Sequence, residues 1–308
     1  MSVSGYFSVG FYLLLVSLFI PSGVAATSIV ADTQNNWLAS VHAAWAEQDK
    51  EFKTSSTSPL AGVSRFEITA TGTVYFVEQD DALGWSLDAG ENQKFSLFLV
   101  EGNWKWMALD AGVTVVRVDE VLKSGSLLQA GDELSVGRFT LAVYPSYDRI
   151  TVLVFDADSQ KMKNFETLER FEPNKKFAVT AKIVPFQSPD KIELITGRQQ
   201  IKQRFKYALL KFEIDGEKLQ LTAYKNTLEG EHSEVLFVPF TDKTTGKYSY
   251  GGGRYLIVDE PSAGNKVEID FNMVTNPLCN YADIYNCIVP SRENKLPIEV
   301  LAGEKKYH

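Results

Sequence analysis

The sequence predicts a mostly β protein: two packed β-rich lobes, sandwich- or barrel-like, behind one N-terminal amphipathic helix. Three observations carry this expectation. From Val63 onward apolar and polar residues alternate with a period of two, the signature of half-buried strands. Glycine-bearing turns recur at intervals of about ten residues, the rhythm of many short strands in a sandwich or barrel. One long stretch, close to the N-terminus, has helical spacing instead.

Taken in order, the chain opens with a processing segment. Residues 2 to 20 contain no charged side chain, and Phe11 to Ile20 form an apolar core. Pro21, Ser22 and Gly23 break it, and Val24-Ala25-Ala26 supplies small residues for cleavage. Residues 1–26 therefore read as a secretory signal peptide. A transmembrane anchor is the competing reading, since the stretch approaches the ~20 residues that span a bilayer. The closing breaker and the lack of a following basic cluster favour cleavage. A periplasmic or secreted protein with no stable membrane span is expected.

Residues 27–62 hold the helix and a linker. Trp37, Val41, Trp45 and Phe52, with Leu38 beside them, form one stripe, and Asp32 or Thr33 is placed to cap its start. Thr54 to Gly62 reads as a loop. Residues 63–155 form the first β-rich lobe and residues 156–308 the second. Between them, Phe165, Leu168 and Phe171 are spaced for one helical turn ended by Pro173-Asn174. In the second lobe Asp215-Gly216 sits between alternating apolar runs and marks a hairpin. Asp242 to Gly246 reads as the turn of another.

Composition excludes some function classes. The 308 residues carry a net charge of −8, unchanged by loss of the leader. Such acidity, with no run of Lys and Arg, does not suit nucleic-acid binding, which needs phosphates neutralised. No G-x-G-x-x-G or Walker sequence supports a nucleotide cofactor. No H-E-x-x-H or cysteine-histidine cluster supports zinc, so no metal ligands are assigned, and any cofactor is unknown. No G-x-S-x-G elbow supports an α/β-hydrolase nucleophile. Oligomeric state is not readable.

Chemistry-bearing residues concentrate near the C-terminus. Gly251, Gly252 and Gly253 allow close backbone approach, and their amides can form an anion nest. Arg254 follows them, with a planar fork suited to a carboxylate or phosphate. The alternative is a glycine bulge with Arg254 paired to Asp242, Asp270 or Glu304. Asp270 and Asn272 share one face of a strand-like run and can hold a ligand or satisfy backbone amides. Asn294 and Glu304 complete the polar set. Cys279 and Cys287 are the only cysteines. An exported chain would join them in a disulfide around a short loop, a constraint of about 2.5 kcal/mol; two buried free thiols are the alternative.

These residues give two functional expectations. The first is a small anionic or envelope-derived ligand bound in a pocket near Arg254. The second is a carboxylate-dependent hydrolase using Asp242 or Asp270, with or without a divalent cation. Paired glycosidase carboxylates stand about 5 to 9 Å apart.

The same C-terminal residues carry a family pattern. Asp242, Thr244, Gly246, Tyr250, Gly251, Gly253, Arg254 and Leu256 fall on a D-x-T-x-G-x-x-T-Y-G-x-G-R-x-L segment, with Ser249 in place of threonine. Asp270, Phe271, Asn272, Asn276, Pro277, Cys279, Cys287, Pro290, Asn294, Leu296 and Pro297 fall on a second segment. There Thr275 replaces a usual tyrosine and Leu278 a common proline. From about residue 144 onward the chain resembles the bacterial family catalogued as domain of unknown function 1684. Residues 30–143 fit that family poorly. The resemblance implies a fold boundary and a site region, and it implies no reaction.

Overall fold

A computed structural model describes residues 25–69, 72–79, 81–230 and 232–307. The expected signal peptide lies outside these residues except at Ala25 and Ala26. Helix α1 runs Ala25–Thr54, so the chain is already helical before Asp32 and Thr33, and neither starts the helix. The chain divides into two compact units, residues 1–40 and 41–308. In the first, Ser40 Oγ donates to the Trp37 carbonyl at 2.7 Å within one helical turn. Everything that follows concerns the second. No helix among the described residues is long and apolar enough to cross a membrane.

Ten strands build the first lobe. They are β1 (Gly62–Thr69), β2 (Thr73–Gln79), β3 (Ala82–Ser86), β4 (Gln93–Val100) and β5 (Asn103–Ala108), then β6 (Val113–Arg117), β7 (Glu120–Val121), β8 (Asp132–Val136), β9 (Phe139–Pro145) and β10 (Arg149–Asp156). They form two antiparallel sheets, ordered β3-β2-β4-β5 and β1-β10-β9-β8-β6-β7. Alternation aims Val74, Phe76, Leu97 and Trp104 of the smaller sheet at Val115, Leu134, Leu141 and Val152 of the larger. Phe76 and Phe95 stack with ring centres 4.4 Å apart. The sandwich expected from the period of two is present.

The joint differs in detail from its expectation. Helix α2 covers only Gln160–Lys163, capped by Ser159, whose hydroxyl accepts from the Met162 amide at 3.3 Å. Residues 165–171 form no helical turn and have no regular structure apart from a bridge between Arg170 and Glu304. Their backbone is claimed by the C-terminal segment: the Phe171 amide donates to the Gly303 carbonyl at 2.9 Å. Phe165 and Leu168 still dock, packing with Phe52, Leu60 and Tyr281.

Six strands build the second lobe: β11 (Ala178–Ile195), β12 (Ile201–Ile214), β13 (Glu217–Lys225), β14 (Val235–Phe240), β15 (Arg254–Asp259) and β16 (Lys266–Asp270). They pair in the order β15-β14-β13-β12-β11-β16 and curl into a nearly closed barrel. Asp215 and Gly216 join β12 to β13 with φ of 51° and 80°. Positive φ at both turn residues matches the right-handed strand twist, which is why Asp-Gly serves there. The turn expected at Asp242–Gly246 is part of a longer connection, because Phe240 pairs directly with Arg254.

From Phe271 to Tyr307 the chain forms no strand. It wraps the barrel through short 3-10 turns at Phe271–Met273, Leu278–Asn280 and Arg292–Asn294. Ala282 and Ile284 of this wrap pack with Ala61, Ala142, Leu153 and Phe155 of the first lobe. The C-terminal segment thus supplies an apolar contact between the lobes. Replacing Ile284 with alanine is expected to cost about 2–5 kcal/mol, read by urea denaturation of the full chain. An unchanged midpoint would show that this contact does not hold the lobes.

Candidate functional site

The structure buries Asp242, Arg254, Asn272, Asn294 and Glu304, and leaves Asp270 half-buried at the end of β16. Arg254 opens β15 and is 1% exposed. One amino group donates to Val300 O at 2.8 Å and Asp242 Oδ2 at 3.3 Å; the other donates to Ala302 O at 2.5 Å. Its guanidinium lies over the Phe240 ring at 5.5 Å. Asp242 is equally enclosed. It accepts from the Val300 amide at 2.7 Å, from Thr244 Oγ1 at 2.8 Å and from Thr245 Oγ1 at 3.0 Å. Ser249 Oγ lies 2.8 Å from Thr244 Oγ1, so the hydroxyl that replaces the family's threonine is used here.

The three glycines lead the chain into this packing. Gly253 has φ of +83°, and a Cβ there would meet the Phe240 carbonyl and the Pro290 ring, both at 2.6 Å. Its amide donates to Tyr250 O at 3.1 Å, so that amide is spent within the turn. Gly251 and Gly252 form the turn before it. The glycines seat Arg254 in the interior, which corrects the expectation of a ligand-facing fork.

The remaining residues are likewise structural. β16 ends at Asp270, so the strand face expected to carry both Asp270 and Asn272 does not extend to Asn272. Instead Asp270 Oδ1 accepts from the Asn272 amide at 2.8 Å and caps the turn Phe271–Met273. Asn272 clasps Asn174 through both side-chain atoms, and its carbonyl accepts from Trp45 Nε1 at 3.0 Å. Asn294 satisfies the Thr222 amide and carbonyl and the Pro239 carbonyl, joining β13 to β14. Glu304 accepts from Gln48 Nε2 at 2.6 Å, from the Asn276 amide at 2.7 Å and from the Tyr281 hydroxyl. Burial holds its carboxyl above the usual range, with the Tyr281 hydrogen bond opposing that shift. Asp242 is committed to Arg254 and Asp270 to the Asn272 turn. Among the described residues no group of His, Cys, Asp and Glu is arranged to hold a metal.

Cys279 and Cys287 form the expected disulfide, with Cα atoms 6.1 Å apart. The loop between them divides its side chains. Tyr281 packs against Phe52 and Phe165, Ala282 and Ile284 pack on the first lobe, and Tyr285, Asn286 and Cys287 face a cleft.

That cleft has a volume of about 600 Å³. Its first-lobe wall includes Arg65, Tyr144 and Leu153; its second-lobe wall includes Gln200, Lys202 and Arg204. The last three share one face at the start of β12 because alternate strand residues point the same way. Arg65 is occupied, donating to Glu67 Oε1 at 2.7 Å and to Ile284 O at 3.2 Å. Gln200 is occupied too, bridging Glu67 and Asn286. Lys202 and Arg204 are different. Among the described residues neither forms an ion pair. Arg204 donates only to the neighbouring Gln203 carbonyl, at 2.7 Å, and its Nε is buried without a partner. Burial pushes the Lys202 ammonium below its usual pKa, and the charges of Arg204 and Arg65 push the same way. Burial also lowers Arg204, with Tyr255 opposing. Tyr255 points its hydroxyl at Ile288 O, 2.6 Å away, closing the floor. Arg254 and Tyr255 are adjacent, yet alternation sends them to opposite faces of β15: Arg254 inward, Tyr255 toward the cleft.

The sequence reading missed Lys202, Arg204 and Arg65. Its available signal was the run Gln200, Lys202, Arg204 on alternate positions, which looks the same as any solvated strand face.

Residues 163–305 match the model of a family described as Protein of unknown function (DUF1684). No curated protein matches the chain at a significant level. Among solved structures, the chain is similar to an uncharacterized protein of Haloarcula marismortui determined by solution NMR. The two share 34% identity over 47% of this chain and 80% of that one, with a TM-score of 0.40.

Arg254→Ala would strand the Asp242 carboxylate in the interior. It is expected to cost about 3–5 kcal/mol in denaturant unfolding, the penalty for breaking a buried pair. A loss below about 1 kcal/mol, the range of an exposed pair, would show that the interior does not depend on it.

Proposed function

We propose, for a chain that belongs through residues 163–305 to the DUF1684 family, that the protein binds a small anionic molecule in the cleft between its lobes. One observation carries this reading: Lys202 and Arg204 turn into a cleft of about 600 Å³, and among the described residues neither forms an ion pair. Half-buried cations without a paired acid are costly, and a bound anion offsets that cost. The volume suits a ligand of drug-like size. Leu153, Phe237 and Ile288 supply apolar wall, so the ligand carries its anionic group on an apolar or aromatic body. The binding group is therefore placed on β12, and Arg254 serves by holding the barrel wall behind Tyr255.

Export belongs to this reading. The uncharged apolar leader and the Cys279–Cys287 bond support a periplasmic or secreted location, where an envelope-derived ligand would be met. The carboxylate hydrolase is not favoured, because neither Asp242 nor Asp270 lines the cleft.

Anilinonaphthalene sulfonate, an aromatic anion, is a suitable probe. Its fluorescence titration with the native full chain should saturate at one site. Lys202→Ala and Arg204→Ala should each weaken it about 10- to 100-fold, the value of a charge-assisted hydrogen bond. Unchanged affinity in both variants would end the reading.

Proton linkage gives a second check. The Lys202 pKa is depressed in the empty cleft, and a bound anion favours the charged ammonium. Binding therefore takes up a proton once the pH exceeds the depressed value. Affinity should be constant below that pKa and fall as pH rises through it. The slope should vanish in Lys202→Ala, measured by titration calorimetry in buffers of differing ionisation enthalpy. A slope retained in Lys202→Ala assigns the proton elsewhere.

A further inference from the structure

A second, separate group of cations lies on the outside of the barrel. Alternation aims Ala181, Ile183, Leu210, Phe212, Val267 and Ile269 into the core. The residues between them face outward, and register then sets three lysines side by side. Lys182 on β11 pairs directly with Lys266 on β16 and with Lys211 on β12. The row continues to Gln220 on β13. All three lysines are exposed, and among the described residues none of them forms an ion pair. They border a shallow depression of about 540 Å³.

Like charges placed directly opposite across strands destabilise a sheet. Here that arrangement occurs twice in succession, in a chain whose net charge is −8. Nothing inside the barrel requires lysine at these outward positions. The flanking rows limit what can be bound. On one side stand Glu268, opposite Thr180, and Glu213, opposite Lys218. On the other stand Val184 and Leu209, opposite each other. The cationic strip is therefore one residue wide and runs across the strands, with ammonium-bearing positions repeating at about 4.8 Å. A broad anionic surface laid on it would also meet Glu213 and Glu268. A narrow linear anion laid along the row would meet the three lysines first, with Lys218 and Glu213 at the margin of the same depression.

We propose that the row Lys266–Lys182–Lys211 is a binding site for a short free chain of linked phosphate groups lying across strands β16, β11 and β12. Each ammonium faces one segment of the chain, and the central Lys182, flanked on both sides, contributes most.

Inorganic tripolyphosphate is the probe, titrated by calorimetry into the native full chain at low ionic strength. Binding is expected, weakened by added salt because exposed charges are screened. Lys182→Ala should lose about tenfold or more in affinity, one charge-assisted contact, while Arg204→Ala should not. Without ligand, Lys182→Ala should melt above the native protein, because two repulsive pairs are removed. Equal affinity in native protein and Lys182→Ala overturns the proposal. So does loss in Arg204→Ala with retention in Lys182→Ala, which moves the phosphate to the interlobe cleft. Binding to phosphatidylglycerol vesicles with none to tripolyphosphate also overturns it, in favour of a membrane surface.

Discussion

Arg254 brings a full charge into the barrel wall, and the C-terminal segment is folded around that charge. Its amino groups take carbonyls from Val300 and Ala302, residues with no strand partner of their own. Asp242 answers the charge and also takes the Val300 amide. A segment without regular structure thereby finds partners for its backbone, as a buried segment must. The same segment then donates its Glu304 amide to Val274 and receives the Phe171 amide at Gly303. Remove the central pair and these attachments lose their common anchor.

The disulfide loop rests on that wrap and works in two directions. Ile284 and Ala282 fill the seam with the first lobe, while Tyr281 reaches Glu304 and packs on Phe52 of helix α1. The cleft wall is what remains of the loop, at Tyr285, Asn286 and Cys287. The loop therefore takes part both in the seam between the lobes and in the wall of the space they enclose. The cross-link limits the unfolded chain over a short span, which favours this one arrangement.

Two kinds of buried charge stand side by side in this molecule. Arg254, Asp242 and Glu304 are enclosed with several partners each, and they hold structure. Lys202 and Arg204 are less enclosed, form no ion pair among the described residues, and face the cleft. Burial alone does not distinguish these cases; the list of partners does. The same test applied outside the barrel singles out Lys182 among the many exposed lysines, because its nearest neighbours across the sheet are cations.

Much of the fold was legible in the residues. Period-two alternation named the strands, Asp215-Gly216 named its hairpin, and the stripe of Trp37, Val41, Trp45 and Phe52 named the helix, because each is a local rule of backbone geometry. The late cysteines and the Asp242-to-Arg254 segment marked a family and a constrained region, and both belong to one network. What local rules could not supply was direction. Arg254 and Tyr255 are neighbours in the chain, yet one enters the wall and the other faces the cleft. Arg65 is separated from Lys202 and Arg204 by more than a hundred positions and by a lobe boundary. By itself the sequence determined the run of strands, the Asp215-Gly216 turn and the presence of the N-terminal helix, since these depend on residues close in the chain. Only the tertiary structure decided which cations would be answered by an acid, because that depends on strand register and on how the C-terminal segment closes over the barrel.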